Sequence, residues 1–341
     1  MDSISLKNIP LRIGTLVLKN PLVLAPMAGF TDLPCRIMSR RFGASLAFTE
    51  MISAPGLLYN SKRTFEMLQS TEEDRPLGIQ LFGSEPKSLA TAAKICEEHG
   101  ADLIDLNCGC PVRKVVKQYA GSALMGDPNR MVEIIHAMVE AVKVPVTIKI
   151  RSGRDEDSIN ILDIAEKIKH LGLSAITLHP RTAAIPYSSK PRWDLIKELK
   201  SIVPFPVLGS GGLITDQDVA DMINNTGVDG AMLARGALGH PWLFDTSMRR
   251  LRGETSIIEP SIPQRVELMK EHLSMMIPLY GEEIANRLFR AHSLYYVSGW
   301  PQATWLRGNL NQVSQYSQLC SLLDQYIKEY NNLDNTETLD S

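Results

Sequence analysis

Short apolar runs alternate with longer amphipathic stretches over roughly the first 240 residues of the chain. Eight of these runs have the length and composition of buried strands. The stretches between them have helical spacing; in one, Leu89, Ala92, Ala93 and Cys96 share a face. The predicted strands cover residues 21–28, 45–50, 77–83, 103–109, 146–152, 175–181, 206–212 and 230–236. Eight repeated β-α units predict an α/β fold, a closed (β/α)8 TIM barrel.

An open, doubly wound sheet is the alternative arrangement of the same units. That fold usually carries a G-x-G-x-x-G turn after its first strand, and no such turn follows residues 21–28. The glycine-rich stretch of this chain, at 209–212, comes much later. The sequence therefore favours the barrel.

Polar side chains come at the end of nearly every predicted strand, after its apolar part. They are Glu50, Gln80, Asn107, Cys110, Lys149, Arg151, His179, Arg181, Ser210 and Arg235. The carboxyl ends of all barrel strands meet at one mouth, where enzymes of this fold build their active sites. These residues are therefore the candidate site.

The strand pattern stops after about residue 255, and Pro260 and Pro263 mark the change. Helical patterns then cover 262–280, 281–299 and about 302–330, separated by Gly281 and by a turn at 299–301. We predict a barrel domain over residues 1–255, a small all-α helical domain over 256–330 and a polar, frayed tail over 331–341.

The composition is that of a folded globular chain, since 44% of the 341 residues are hydrophobic and 22% are charged. The 36 basic and 38 acidic side chains give a formal net charge of -2, so no chain-wide basic field attracts a polyanion. The five cysteines do not suit a disulfide scaffold. No apolar run reaches the roughly 18–20 residues of a membrane span. We expect a cytoplasmic protein without a membrane segment.

The basic side chains are unevenly distributed along the chain. Acidic residues are absent from residues 106–126, 167–193 and 284–323. The basic residues that we single out in these intervals are Arg113, Lys114, Lys117, Lys167, Lys169, Arg181, Lys190, Arg192, Arg287, Arg290 and Arg307. The small net charge is therefore compatible with a localised positive strip.

Two cysteines, Cys108 and Cys110, lie in the segment LNCGCPV at the end of the fourth predicted strand. A thiol there can be a nucleophile, a proton donor or a metal ligand. Zinc needs about four ligands, and the other cysteines lack a matching spacing, so we expect no metal. Alternation points Cys108 away from Asn107 into apolar surroundings, whereas Cys110 lies past the strand end, between Gly109 and Pro111.

Lys149 and Arg151 are two residues apart on one predicted strand and therefore face the same way. Two cations in a barrel mouth need an anion, such as a phosphate or the N1–C2=O edge of a reduced flavin. An acid such as Glu50 is the alternative partner.

Glycines at the ends of the last two strands let backbone N–H groups approach a phosphate, which barrels of this kind commonly bind there. The predicted phosphate site comprises Ser210, Gly211, Gly212, Ala234 and Arg235. Together with the amide of Gln80 and the cation of Lys149, this site fits a barrel that binds flavin mononucleotide (FMN).

The chain resembles the FMN-dependent tRNA-dihydrouridine synthases of bacteria. The matching segments are LAPMAGFTDLPCR, FTEMIS, IQLFGSEP, DLNCGCPVRKV, GSALM, IKIRSG, LHPRT, GSGGL, ARGALGHPWLF and LFRAHSLYYVSG. The resemblance implies reduction of the C5–C6 double bond of uridine in tRNA, with FMN recharged by NADPH or NADH. It also implies hydride transfer from FMN to C6 and protonation of C5 by Cys110, with Cys108 dispensable.

The resemblance implies roles for the other site residues through their positions in these motifs. Implied flavin contacts are Pro26, Met27, Ala28, Gln80, Lys149 and His179, and implied phosphate contacts are Ser210, Gly211, Gly212, Ala234 and Arg235. Asn107, Arg151 and Arg181 are implied beside the target uridine, and Arg287, Arg290 and His292 in contact with the tRNA. The chain departs from the usual family pattern at Ser210, Ala234, Pro180 and Ala291.

Two other functions fit parts of the sequence. A small-molecule FMN enzyme, such as a dihydroorotate or dihydropyrimidine dehydrogenase, needs the same flavin site but leaves the helical domain unexplained. A catalytically silent RNA-binding or scaffolding protein leaves Cys110, Lys149 and His179 unexplained. We expect a monomeric enzyme whose partners are tRNA and a nicotinamide cofactor.

Overall fold

A computed structural model describes residues 10–337 of the chain. Its first two strands, β1 (Leu11–Ile13) and β2 (Leu16–Leu18), pair as an antiparallel hairpin. Eight further strands close into a parallel barrel in chain order. They are β3 (Leu22–Leu24), β4 (Leu46–Ser53), β5 (Leu77–Phe82), β6 (Leu103–Cys108), β7 (Val146–Arg151), β8 (Ala175–His179), β9 (Val207–Ser210) and β10 (Gly230–Leu233). The predicted (β/α)8 barrel is confirmed.

The β1–β2 hairpin closes the amino-terminal end of the barrel. Its apolar residues Leu11, Ile13 and Leu18 belong to one buried cluster with residues at the starts of barrel strands, such as Leu103 and Ala175. The sequence did not indicate this hairpin, because strands of three residues are too short to show a periodicity. The closed end leaves the opposite mouth as the place for a site.

Helices alternate with the barrel strands. They are α1 (Leu33–Arg41), α2 (Ala54–Leu58), α3 (Lys62–Glu66), α4 (Pro86–Glu98), α5 (Arg113–Val116), α6 (Pro128–Ala141), α7 (Ile161–Ile168), α8 (Trp193–Ile202), α9 (Asp216–Thr226) and α10 (Leu243–Leu251). The apolar face predicted for α4 is fully buried, as its spacing required.

Further helices follow the barrel: α11 (Ile262–Tyr280), α12 (Glu282–Tyr296), α13 (Ala303–Leu310) and α14 (Tyr316–Glu337). The single helix predicted over 302–330 is wrong, since residues 311–315 separate α13 from α14. The predicted start of the frayed tail at residue 331 is also corrected, because α14 continues through residue 337. The last residues, 338–341, lie outside the described part of the chain.

The chain divides into two compact units. The first contains the described residues up to Gly236 together with Leu243–Thr255, and therefore includes the whole barrel. The second contains Ala237–Trp242 and the described residues from Ser256 onward, and therefore includes α11 to α14. Among the described residues, no helix combines the length and the apolarity that crossing a membrane requires.

Candidate active site

The predicted polar residues gather at the carboxyl ends of neighbouring barrel strands. Asn107 on β6 lies in register with Lys149 on β7, and Arg151 on β7 lies in register with His179 on β8. Ser210 is the last residue of β9. The strand order therefore places these side chains around one mouth.

A row of amide hydrogen bonds crosses this mouth from β5 to the loop after β6. Asn107 Nδ2 donates to Gln80 Oε1 (2.8 Å). Asn107 Oδ1 accepts from the backbone N–H groups of Gly109 (3.1 Å) and Cys110 (2.9 Å). The amide of Asn107 therefore holds the loop that carries the thiol.

Cys110 is half-buried, and its thiol is protonated at neutral pH. Burial raises the pKa of Cys110 above its usual value, and this effect outweighs three that lower it. The three are a backbone hydrogen bond from Val112 and the positive charges of Arg151 and Lys149. Cys110 can therefore meet a ligand at the mouth as a neutral S–H group.

Cys108, two residues earlier, has different surroundings. It is completely buried, and burial followed by the charge of Asp105 raises its pKa well above the usual value. A thiol in this position cannot reach a ligand without movement of the strand. The buried apolar position predicted for Cys108, on the strand face opposite to Asn107, therefore agrees with the structure.

Lys149 is a half-buried cation at the carboxyl end of β7. Among the described residues, no carboxylate lies within 4.0 Å of its ammonium group, and the Glu50 carboxylate instead accepts from the backbone N–H of Gly29. Burial and then the charge of Arg151 lower the pKa of Lys149 to about 8. An anionic ligand is therefore a favourable neighbour for this side chain.

Arg151 and Arg181 use their guanidinium groups to hold backbone carbonyls. Arg151 donates to the carbonyl oxygens of Gly109 (3.0 Å) and Thr182 (2.8 Å). Arg181 donates from two nitrogens to the carbonyl oxygen of Ser189. Both arginines therefore fix the loops around the mouth in addition to charging it.

His179 is a neutral imidazole at the mouth. Arg181 Nη1 lies 3.0 Å from His179 Nε2, and a guanidinium can only donate, so Nε2 accepts and Nδ1 carries the hydrogen. Burial, followed by the charges of Lys149, Arg151, Arg181 and Arg235, lowers the pKa of His179 to about 2. This imidazole can donate one hydrogen bond from Nδ1 but does not act as an acid–base group near neutral pH.

The predicted phosphate loop depends on two glycines. Gly211 (φ +92°) and Gly212 (φ +82°) have left-handed backbone angles, and a Cβ atom on Gly211 would lie 2.8 Å from Cδ2 of His179. Ser210 Oγ donates to the carbonyl of Met232 (3.0 Å), so this hydroxyl links β9 to β10. The loop therefore offers backbone rather than the Ser210 hydroxyl to a ligand.

The amino-terminal end of α9 follows this loop. A capping box closes its first turn, in which Thr215 Oγ1 accepts from the N–H of Asp218 (3.1 Å). The Asp218 carboxylate accepts from the N–H groups of Ile214 (3.0 Å) and Thr215 (2.8 Å). These backbone donors are already satisfied, so the glycines before them are the better phosphate contacts.

The segment from Pro26 to Ala28 follows β3 at the same mouth. Met27 N donates to Thr31 Oγ1 (3.0 Å), and the Thr31 carbonyl in turn accepts from buried Arg36 (2.9 Å). Pro26 and Met27 are half-buried and Ala28 is exposed. Thr31 and Arg36 therefore fix a turn that lines the mouth.

Sequence reasoning missed two residues at this mouth, Tyr187 and Asp105. Tyr187 is 46% exposed, and its ring centroid lies 4.5 Å from the guanidinium carbon of Arg235 and 5.2 Å from that of Arg151. Nothing in its loop distinguished this tyrosine, because its arginine neighbours follow other strands. Asp105 shares the inward strand face of Asn107, and that two-residue spacing was a usable signal.

The residues predicted to contact tRNA lie in the second unit and differ in exposure. Arg287 is exposed, whereas Arg290 is half-buried and donates to the carbonyl of Val313 (3.0 Å). His292 is 2% exposed, its ring centroid lies 4.6 Å from that of His272, and burial lowers its pKa to about 4. The prediction that His292 contacts tRNA is therefore corrected, because this ring is buried and packs against other side chains.

Comparisons with known proteins identify the family of this chain. A family model described as dihydrouridine synthase (Dus) matches residues 23–332. The chain is 36% identical over 321 residues to a protein named tRNA-dihydrouridine synthase B from Pseudomonas aeruginosa, covering 94% of this chain and 97% of that one. The chain belongs to the dihydrouridine synthase family. The predicted family is thus confirmed, and the chain is a flavin-using oxidoreductase.

Other relatives of this dihydrouridine synthase family member extend the match. A probable tRNA-dihydrouridine synthase from Rickettsia bellii is 34% identical, with 96% of this chain and 100% of that one covered. Among solved structures, histamine dehydrogenase from Rhizobium sp. 4-9 has a TM-score of 0.55 at 17% identity, covering 78% of this chain and 50% of that chain. At that identity the structural likeness shows the barrel fold alone.

Proposed function

We propose that this chain reduces uridine in tRNA to dihydrouridine, with FMN as its bound cofactor and NADPH or NADH as the reductant. The observation that carries the proposal is the Cys110 loop, which Asn107 holds by two backbone hydrogen bonds at the mouth that also contains Lys149 and His179. Burial raises the pKa of the Cys110 thiol, which favours its protonated form. Reduction of a carbon–carbon double bond needs a hydride and a proton from separate sources. Cys110 is the source of the proton.

The side chains at the mouth fit the ring of a flavin. The ammonium of Lys149 suits its N1–C2=O edge, which becomes anionic on reduction, and His179 Nδ1 offers a donor beside it. Gln80 bonds to Asp105 and Asn107 and would keep one N–H and one lone pair for the ring. The segment from Pro26 to Ala28 would lie along the ring. When bound, FMN supplies the hydride that adds to C6 of uracil.

The loops after the last two strands fit the phosphate of FMN. Gly211 and Gly212 have left-handed backbone angles, and their missing Cβ atoms allow the turn to pack against His179 and Pro191. The backbone N–H groups of this turn would donate to the phosphate. Ser210 begins this loop, and Ala234 and Arg235, after β10, would complete the phosphate contacts. The guanidinium of Arg235 would add a positive charge there.

Cys110 delivers the proton to C5 in this proposal. The S–H bond breaks as the C5–H bond forms, which leaves a thiolate on Cys110. The charges of Arg151 and Lys149 favour that thiolate, since both lower the pKa of Cys110. Solvent then returns a proton to the sulfur.

The target base would enter the mouth beside Asn107, Arg151 and Arg181. A uridine of folded tRNA must leave its stack to do so, and stacking on an aromatic ring offsets part of that cost. Tyr187 offers such a ring, since it is exposed and lies close to the guanidinium groups of Arg151 and Arg235.

The rest of the tRNA would bind outside the mouth. Arg287 and Arg290 of α12 are the candidate contacts in the second unit, and Arg287 is the more exposed of the two. We expect a monomeric enzyme acting in the cytoplasm, where its substrates occur.

A direct test combines a cofactor assay with a substrate assay. Purified protein should be yellow, and NADPH should bleach the flavin under anaerobic conditions. Adding tRNA from cells that lack this gene should restore the flavin absorbance and form dihydrouridine, detected by mass spectrometry of tRNA digests. Protein that binds no flavin even after reconstitution, or that reduces free orotate or uracil but not tRNA, would contradict the proposal.

The two neighbouring cysteines provide a matched pair of variants. We expect Cys110→Ala to keep FMN but to form dihydrouridine at least about 100-fold more slowly, because a positioned acid contributes about that much. Cys108→Ala should remain active, since its thiol is buried away from the mouth. The rate at which tRNA reoxidises reduced flavin in a single turnover measures the activity of both variants. Loss of activity in Cys108→Ala alone would mean that Cys110 is not the proton donor.

A further inference from the structure

Asp105 is a carboxylate enclosed by the barrel, and only 1% of its surface is exposed. Its Oδ1 accepts from Thr147 Oγ1 (2.7 Å), and its Oδ2 accepts from Gln80 Nε2 (2.7 Å). Burial raises the pKa of Asp105 to about 6, so the carboxylate is ionised at neutral pH. Burying a charge of this kind is energetically unfavourable. The partners of its two hydrogen bonds therefore indicate the role of this carboxylate.

The bond from Gln80 to Asp105 continues the row of amides that ends at the thiol loop. Gln80 Nε2 donates to Asp105, and Gln80 Oε1 accepts from Asn107 Nδ2. Asn107 Oδ1 accepts from the N–H groups of Gly109 and Cys110. An ionised carboxylate can only accept, and a backbone N–H can only donate. The two ends of the row therefore permit one orientation of both amides, and the structure has that orientation.

We propose that Asp105 is a positioning residue that sets the amide orientations of Gln80 and Asn107 and thereby holds the Cys110 loop at the mouth. The proposal rests on the proposed function for the role given to Cys110. The hydrogen bonds of Asp105 go to Gln80 and Thr147, so its effect on the loop passes through the two amides. The direction of these hydrogen bonds also determines which edge of the Gln80 amide faces a ligand at the mouth.

Three variants separate this positioning role from simple packing and from a charge effect. Asp105→Asn keeps an acceptor for Gln80, because its amide oxygen can face Gln80 while its NH2 group donates to Thr147 Oγ1. Asp105→Leu fills the site without an acceptor. Thr147→Val is the matched control, since it removes the other bond to Asp105 and leaves the row of amides intact.

The readout is the rate at which iodoacetamide alkylates Cys110 in the purified full chain, located by peptide mass spectrometry. Cys320, the other half-buried cysteine, is changed to serine throughout, and the flavin content of each sample is matched. Measuring the rate from pH 6.5 up to the plateau above the pKa of the thiol separates that pKa from the accessibility of the loop, because only accessibility changes the height of the plateau. This assay needs no tRNA, no reductant and no turnover.

We expect Asp105→Leu to speed alkylation of Cys110 by about tenfold at every pH, because two backbone bonds to the loop are weakened. Asp105→Asn and Thr147→Val should stay within about threefold of the parent chain. Equal rates for Asp105→Leu and the parent would overturn the proposal in favour of simple packing. Equal acceleration by Asp105→Asn and Asp105→Leu would overturn it in favour of a charge effect.

A fourth variant covers the case in which Asp105→Leu does not fold. Gln80→Met breaks the same row one link further along and should give the same acceleration. Where both single variants fold, combining Asp105→Leu with Gln80→Met should not speed alkylation beyond either one, because both act through the same row of amides. Additive increases in the alkylation rate would contradict the proposal. Failure of the tRNA assay with the expected alkylation pattern would instead count against the proposed function.

Discussion

At the scale of single residues, the charge of Lys149 determines how strongly the mouth attracts an anion. Its ammonium has no carboxylate within 4.0 Å among the described residues, and burial lowers its pKa to about 8. The charge that would attract a flavin is therefore present at pH 7 and mostly absent at pH 9 while the site is free.

This titration predicts a pH dependence of FMN binding. The N1–C2=O edge of oxidised FMN accepts hydrogen bonds and the phosphate of FMN is anionic, so binding favours the protonated lysine and the Kd should rise about tenfold between pH 7 and pH 9. Titrating the apoprotein with FMN and monitoring the quenching of flavin fluorescence measures this Kd at each pH. Lys149→Met should bind more weakly with no pH dependence in that range, and Lys149→Arg should also lose the dependence because guanidinium stays charged. A flat profile for the parent chain would refute the assignment.

Gly211 offers a second test at this scale. In Gly211→Ala the new Cβ atom would lie 2.8 Å from the ring of His179, on a backbone with a φ of +92°. We expect loss of FMN and a lower Tm. Gly253→Ala is the control, since Gly253 has a φ of +88° but no atom within 4 Å of the new Cβ. Equal FMN content in the two variants would show that crowding against His179 does not matter.

The sequence predicted which residues meet at the mouth, because each follows an apolar strand. It did not predict their bonds. The guanidinium of Arg151 reaches Gly109 and Thr182, which belong to two different loops, and strand periodicity contains no information about such partners. The orientation of Gln80 likewise depends on Asp105 of the neighbouring strand.

At the scale of elements, the long periodic helices were the most predictable part. The bounds of α11 match the predicted 262–280, since it begins after Ser261 and ends before Gly281. The break between α13 and α14 was missed, because residues 311–315 contain neither glycine nor proline. Val313 in that break accepts a hydrogen bond from Arg290 of α12, an interaction that exists only in the folded unit.

That hydrogen bond separates the two arginines of α12 experimentally. Arg290→Ala should lower the free energy of unfolding by about 1–2 kcal/mol, because it leaves the Val313 carbonyl without its donor. Arg287→Ala should keep the Tm and weaken tRNA binding, with a shallower dependence on salt, because its exposed guanidinium can meet a phosphate. Thermal unfolding and tRNA binding at several salt concentrations measure both. An unchanged salt dependence for Arg287→Ala would exclude its phosphate contact.

At the scale of the whole molecule, the net charge of -2 conceals different local environments. In the interval 167–193, Lys169 pairs with Glu166 and Arg192 pairs with Asp194, while Arg181 is buried. Much of the positive charge of this interval is therefore compensated or withdrawn from solvent.

The interval 106–126 differs from it. Arg113, Lys114 and Lys117 are all exposed, on or directly after α5. The chain reaches α5 immediately after the loop that carries Cys110. Within the barrel unit, the predicted positive strip is therefore best developed at α5.

We expect the exposed cations of α5 to provide most of the electrostatic attraction between the barrel unit and a polyanion such as tRNA. Lys114→Ala combined with Lys117→Ala should weaken tRNA binding and reduce the magnitude of the salt slope by about one for each phosphate that is no longer neutralised. Lys94→Ala combined with Lys167→Ala removes the same net charge from exposed positions on α4 and α7 and should leave the slope nearly unchanged. Binding titrations over a range of salt concentrations compare the two pairs. Equal effects of both pairs would mean that net charge, rather than the position of α5 beside the Cys110 loop, governs the attraction.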